Sequence, residues 1–228
     1  MIDTVLFDLD GTLLNTLEDI AAGVNHALRK MNFPERSLEE VRQFVGNGVI
    51  MLIKRAVPAG TSEELTNTCL MYNKEYYSSH VNEKTRPYEG ILPLLKALKA
   101  KGFKVGVISN KYDSAVKDLC RLYFSDDVTV AVGNRTGVPT KPAPDCVYSA
   151  LEELGSVKSQ TVFVGDSDVD VHTAHNAGLP CIGVSWGFRG RTFLEKEGAD
   201  AVIDAPSELL TLLTSVSMPK YKESVKRL

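Results

Sequence analysis

The chain of 228 residues is 43% hydrophobic and 24% charged, a balance that sets aside disordered and fibrous classes and allows one large domain or two unequal ones. Its 26 basic and 29 acidic residues leave a formal charge of −3, so there is no broad basic field to grip a nucleic-acid backbone. No apolar run approaches the roughly 18 residues of a membrane span, and Asp3, Asp8 and Asp10 occupy a start that a signal peptide would make basic and then apolar.

Those features lead us to expect a cytoplasmic protein with neither nucleic acid nor membrane as partner. Cys69, Cys120, Cys146 and Cys181 are widely spaced. They read as buried, reduced thiols rather than zinc ligands.

The first strand is predicted over Thr4 to Leu9, an apolar run that ends in acidic residues. From about Thr16 to Glu83 the pattern turns helical. Leu17, Ile20, Ala21, Val24, Ala27, Leu28 and Met31 recur at spacings of three and four, which defines one apolar stripe. Val41, Val45, Val49, Leu52, Ile53 and Ala56 form a second helical region broken at Gly46-Asn47-Gly48, and Glu63 to Val81 reads as a third.

Strands then return at Lys104 to Ser109, Val128 to Val132, Thr161 to Gly165, Pro180 to Val184 and Ala201 to Ile203. Helical segments separate or flank them at Ile91 to Lys101, Ser114 to Leu122, Asp145 to Leu154, Val169 to Ala177 and Ser207 to Leu213. This alternation predicts an α/β fold with a parallel sheet. The helical insert, residues 16–83, becomes a small second domain on two linkers, and residues 1–15 with 84–228 form the core. The polar stretch Ser217 to Leu228 is expected to be a surface helix or a frayed tail.

Asp8 and Asp10 flank Leu9 just before Gly11-Thr12. Strand side chains alternate, so both carboxylates point to one side at the carboxyl edge of the sheet, where open α/β folds bind ligands. Ser109 and Asn110 end the next strand at the same edge; alone, Ser109 reads as a helix N-cap or turn residue before it reads as a ligand group, and only the company of the other motifs reverses that. Lys141 precedes a stiff Pro142-Ala143-Pro144 segment and would suit the negative charge of a phosphoryl group. Asp166, Asp168 and Asp170 follow the strand at Thr161 to Gly165. Oxygen ligands of this kind suit a hard divalent cation, magnesium above all. Asp166 at the strand tip is the expected direct ligand and Asp170 a supporting residue behind it.

In order and spacing, these motifs resemble the haloacid dehalogenase superfamily of phosphotransferases. Asp8-Leu9-Asp10-Gly11-Thr12 is similar to its first motif, Ser109 to its second, Lys141 to its third, and Gly165-Asp166-Ser167 with Asp170 to its fourth. The resemblance implies a Rossmann-like core with a helical cap domain inserted after the first strand. It implies a Mg2+-dependent phosphatase in which Asp8 is the nucleophile and Asp10 the general acid and base. Asp8, the Asp10 carbonyl and Asp166 would hold the metal, and Ser109, Asn110 and Lys141 the phosphoryl oxygens.

Within the superfamily, Phe44-Val45-Gly46-Asn47-Gly48 and Trp186-Gly187-Phe188 resemble segments of phosphoglycolate phosphatases, which adds Asn47 as a substrate contact. Asn15 stands where many relatives carry aspartate. Beta-phosphoglucomutase-like, pyrophosphatase-like and phosphonate-cleaving relatives remain alternatives. The expected partner is a small phosphorylated metabolite, and the expected state a monomer or homodimer.

Overall fold

Strand β1 (Thr4–Phe7) lies at the middle of the molecule with every residue buried. It pairs in parallel with β4 (Lys104–Tyr112) on one side and β6 (Thr161–Gly165) on the other. A strand covered on both faces has to be apolar throughout, and the run Val5-Leu6-Phe7 meets that demand. Val5 and Phe7 feed one hydrophobic cluster and Leu6 the other, as the two-residue period of a strand dictates. In β6, Val162 and Val164 face the first cluster and Phe163 the second. Each fully buried side chain of this size contributes about 1.5–3 kcal/mol.

The computed structural model describes residues 2–215. Its main sheet has six strands in the order β5-β4-β1-β6-β7-β8, where β5 is Val130–Asn134, β7 Cys181–Val184 and β8 Ala201–Ile203. Every pairing in it is parallel. Helices α5 (Ile91–Ala100), α6 (Asp113–Phe124) and α10 (Pro206–Thr214) pack on one face. The opposite face carries α7 (Asp145–Leu154), α8 (Asp168–Ala177) and α9 (Arg191–Glu197). This is an α/β, Rossmann-like architecture. The chain builds outward from β1 through β4 to β5, then restarts at β6 on the other side, so the order reverses beside the carboxyl end of β1. Ligand crevices form at such a reversal.

Between β1 and the rest of the sheet come four helices, α1 (Leu17–Lys30), α2 (Leu38–Phe44), α3 (Gly48–Ala56) and α4 (Glu63–Tyr77). They share a cluster of their own, built on Val24, Leu28, Val41, Ile53 and Cys69. Ser37 starts α2 with a reciprocal cap: its hydroxyl accepts from the Glu40 N–H while the Glu40 carboxylate accepts from the Ser37 N–H.

The two stretches that connect this helical unit to the sheet are paired with each other. Strands β2 (Leu14–Asn15) and β3 (Arg86–Pro87) are antiparallel, so they are a two-stranded ribbon rather than free linkers. Buried Asp19 locks the second of them. Its carboxylate accepts from the N–H groups of Glu83, Lys84 and Thr85 and from the Thr85 hydroxyl.

Most of the predicted elements stand within a residue or two of their expected limits. Helix α9 and the β2–β3 ribbon were not anticipated, being too short for periodicity to register. The stretch Ser217 to Leu228 lies outside the described residues.

Candidate active site

The carboxyl edge of β1 carries Asp8 and Asp10 into a cavity that Ser109, Asn110, Lys111, Lys141, Asp166 and Ser167 also line. Its far wall comes from the helical unit: Ile20, Val45, Val49, Leu52 and Tyr77. The site is thus polar on the sheet side and largely apolar opposite.

Gly11 permits the turn after Asp10. Its φ is +89°, and a Cβ there would collide with the Asp166 carboxylate. Gly187 sits equally close on the other side, where a Cβ would strike Asp166 and the Gly11 carbonyl. The two glycines let the β1 turn and the loop after β7 close around one carboxylate. Asp166 Oδ2 accepts from the Phe188 N–H at 2.7 Å, and Oδ1 from the Thr12 hydroxyl at 3.3 Å.

Lys141 is 3% exposed and donates to both Asp8 Oδ1 and Asp170 Oδ1 at 2.7 Å. Burial alone would lower its pKa, but the charges of Asp170 and Asp8 outweigh that and hold it raised. Asp170 is bonded through both oxygens. Its other oxygen accepts from the Asp166 N–H, the Ser167 N–H and the Ser167 hydroxyl. It therefore holds Lys141 and the start of α8 in place. Asn110 ties two loops together, its carbonyl accepting from the Lys141 N–H at 2.9 Å and its amide donating to the Lys141 carbonyl at 2.9 Å.

Asp8, Asp166 and Asp170 each offer a carboxylate oxygen within 4.8 Å of the others, and all three are buried. Burial pushes the Asp8 carboxyl up to about 7, with Asp170 and Asp10 adding to the rise and Lys141 opposing it. Asp166 is likewise raised well above the usual carboxylate range, first by burial and then by Asp170 and Asp8. Of the four carboxylates, counting Asp10, three are contacted by two ammonium groups: Asp10 by Lys111, and Asp8 and Asp170 by Lys141. The excess negative charge and the all-oxygen donor set fit a hard divalent cation.

Asp8, Asp10, Ser109, Asn110, Lys141 and Asp166 are therefore gathered in one place. Asn47 stands apart from the cavity lining: its side-chain carbonyl accepts from Arg55 at 2.8 Å, while its neighbours Gly46 and Gly48 form part of the wall.

Three residues of the site were not anticipated. Lys111, 4% exposed, donates to Asp10 Oδ1 at 2.8 Å and to the Tyr77 hydroxyl at 2.6 Å. Its signal was available, since it lies two residues beyond Ser109 at the same strand end. Tyr77 closes α4 and carried no local mark. Arg189 reaches from the loop after β7 to the end of α2, donating to the carbonyls of Arg42 and Val45 at 2.7 Å.

A sequence profile of the haloacid dehalogenase-like hydrolases matches residues 5–184. The pyrophosphatase PpaX of Bacillus mycoides is 33% identical over 219 residues, spanning 95% of this chain and 99% of that protein. A phosphoglycolate phosphatase of Haemophilus influenzae is 33% identical over 215 residues, spanning 91% and 96%. A crystal structure of a predicted phosphoglycolate phosphatase from Haemophilus somnus superposes with a TM-score of 0.85 at 29% identity, covering 92% of this chain and 97% of that one. With likeness at this level running through both the sheet and the helical unit, the chain belongs to the haloacid dehalogenase-like hydrolases.

Proposed function

We propose that this protein is a Mg2+-dependent phosphatase that hydrolyses a small phosphate monoester of phosphoglycolate type through an aspartyl phosphate on Asp8. The observation that carries the reading is the pairing of buried Asp8 with Lys141, which is itself fixed by Asp170. A carboxylate held that way has an oriented oxygen and a cation beside the position where phosphoryl charge would gather. Relatives named for phosphatase and pyrophosphatase activity support the class.

In the first step an Asp8 carboxylate oxygen bonds to phosphorus, the bond to the leaving oxygen breaks, and Asp10 gives that oxygen its proton. Water then attacks phosphorus, Asp10 takes the water's proton, and phosphate departs with Asp8 restored. Ser109, the main-chain N–H of Asn110 and Lys141 bind the phosphoryl oxygens. Asp8, Asp166 and the main-chain carbonyl of Asp10 would hold the magnesium, which when bound screens the nucleophile from the anionic phosphoryl group. Asp170 supports them from behind.

On this reading residues 16–83 are a cap domain that closes over the sheet edge and excludes bulk water. Val45, Gly46, Gly48 and Val49 of the cavity wall meet the organic part of the substrate, while Asn47 between them engages Arg55. No helix among the described residues is long and apolar enough to cross a membrane, in keeping with a small phosphorylated partner taken from solution.

The test is phosphate release, with magnesium, from phosphoglycolate, several sugar phosphates and pyrophosphate, beside Asp8→Asn. Turnover of at least one ester that falls more than about a hundredfold in the variant is the expected result. Activity in Asp8→Asn within that margin would remove Asp8 from its assigned role.

A further inference from the structure

The mechanism above gives no task to Lys111, which is an ammonium buried in the same cavity. Its position is specific. It contacts Asp10, the residue assigned to the leaving oxygen, and Tyr77, the last residue of α4 on the opposite wall.

The other cations at the cavity are already engaged. Lys141 is shared between Asp8 and Asp170, and Arg189 is bonded to main-chain carbonyls of the helical unit with Asp168 4.0 Å away. The helical unit's share of the lining is mostly apolar, with Ile20, Val49 and Leu52, and Asn73 and Tyr77 are its polar side chains. The Asp10 carboxyl that faces Lys111 is the group assigned to the leaving oxygen, so an anion on the leaving part would lie beside the same ammonium. A buried ammonium left without a counter-charge is costly, and a neutral leaving group offers none.

We infer that Lys111, together with the Tyr77 hydroxyl, receives a second anionic group on the leaving part of the substrate. The enzyme thereby selects phosphate esters or anhydrides that bear a carboxylate or a further phosphate close to the bridging oxygen. The inference rests on the phosphatase reading and narrows it.

Geometry sets the reach. The Lys111 ammonium is 2.8 Å from Asp10 Oδ1, so an anion that meets it at about 2.7–2.9 Å lies within a few bonds of the oxygen Asp10 serves. The Tyr77 hydroxyl accepts from Lys111 and keeps its own proton to donate. One donor comes from the sheet and one from the helical unit, so the second anion is held from both walls. Long or neutral leaving groups gain nothing from this pair.

The experiment compares kcat/KM for phosphoglycolate and pyrophosphate with kcat/KM for ethyl phosphate and p-nitrophenyl phosphate, in the full chain with magnesium. Wild type should favour the anionic leaving groups. Lys111→Met should reduce the ratio of anionic to neutral substrates about 30- to 100-fold, mainly through KM, as expected for loss of a charge-assisted pair. Tyr77→Phe should reduce it about 3- to 10-fold. Lys111→Arg should restore most of it.

A Lys111→Met ratio within about threefold of wild type would refute the inference and leave Lys111 a structural partner of Asp10. If Lys111→Met does not fold, Tyr77→Phe, which keeps the Lys111–Asp10 pair, decides the matter by the same ratio. Equal wild-type turnover of anionic and neutral esters overturns this inference alone. Release of phosphate from none of them overturns the phosphatase reading as well.

Discussion

Asp8→Asn should make the metal-free protein more stable relative to wild type at alkaline than at acidic pH, even as it removes activity. Burial sets the Asp8 carboxyl at about 7 in the folded chain, against an ordinary value of 3.8. A raised folded pKa favours the protonated form, so the associated stability is complete below the unfolded value and is lost as pH rises through the folded one. From about pH 5 to about pH 8 that loss amounts to about 3 kcal/mol, taking 1.36 kcal/mol per pKa unit. Asparagine does not titrate and escapes it. Static effects of the substitution, such as the weakened contact to Lys141, are largely common to both pH values and cancel in the difference.

For a domain of this size, about 3 kcal/mol corresponds to roughly 6–12 °C in Tm. The assay is thermal unfolding in excess EDTA for both proteins at the two pH values. The Tm of the variant minus that of wild type should rise by that amount from the lower pH to the higher. Millimolar magnesium should then stabilise wild type more than the variant at the higher pH, because ligand binding to the folded state adds stability that the variant can no longer fully collect. A Tm difference that stays flat across the range would refute the claim that Asp8 is held out of its ordinary range by its surroundings.

Other expectations follow from the same contacts. Asp170→Asn disturbs the residue that positions Lys141 and the Ser167 loop, so magnesium affinity, read by titration calorimetry, should fall about 10- to 100-fold. Arg189→Met removes donors to the Arg42 and Val45 carbonyls. At about 1.5–3 kcal/mol per charged hydrogen bond, kcat/KM should drop at least tenfold in steady-state assays if the helical unit must close for turnover. Asp10→Asn should slow alkyl phosphates more than aryl phosphates, since aryl leaving groups depend less on a proton donor; equal losses would count against the acid role.

Much of the architecture was legible in one dimension because it follows from local rules. The buried strands read as unbroken apolar runs, and β1 ends where Phe7 gives way to Asp8, Asp10 and a glycine turn. Asp8, Asp10 and Asp166 stood out because charged residues at the tips of apolar strands have few structural uses, and Lys141 because a stiff proline segment follows it. Helix α1 declared itself through Ile20, Val24, Ala27 and Leu28 at helical spacing, and all are buried in the structure. Short elements such as α9 and β2 fall below the length at which a period can be recognised.

What the tertiary structure alone decided is which distant residues meet. Lys111 and Tyr77 are separated by 34 positions, and Arg189 and Arg42 by 147; no local pattern marks either pair. The side chain of Asn47 engages Arg55, a neighbour one helix face away, because a loop residue has several partners within reach and packing selects among them. Sequence determined the chemistry available at the sheet edge, since residue type and strand period are local properties. Folding determined the charge balance there and the wall that the helical unit presents to it, since burial and Coulomb interactions depend on distances that only the closed chain defines.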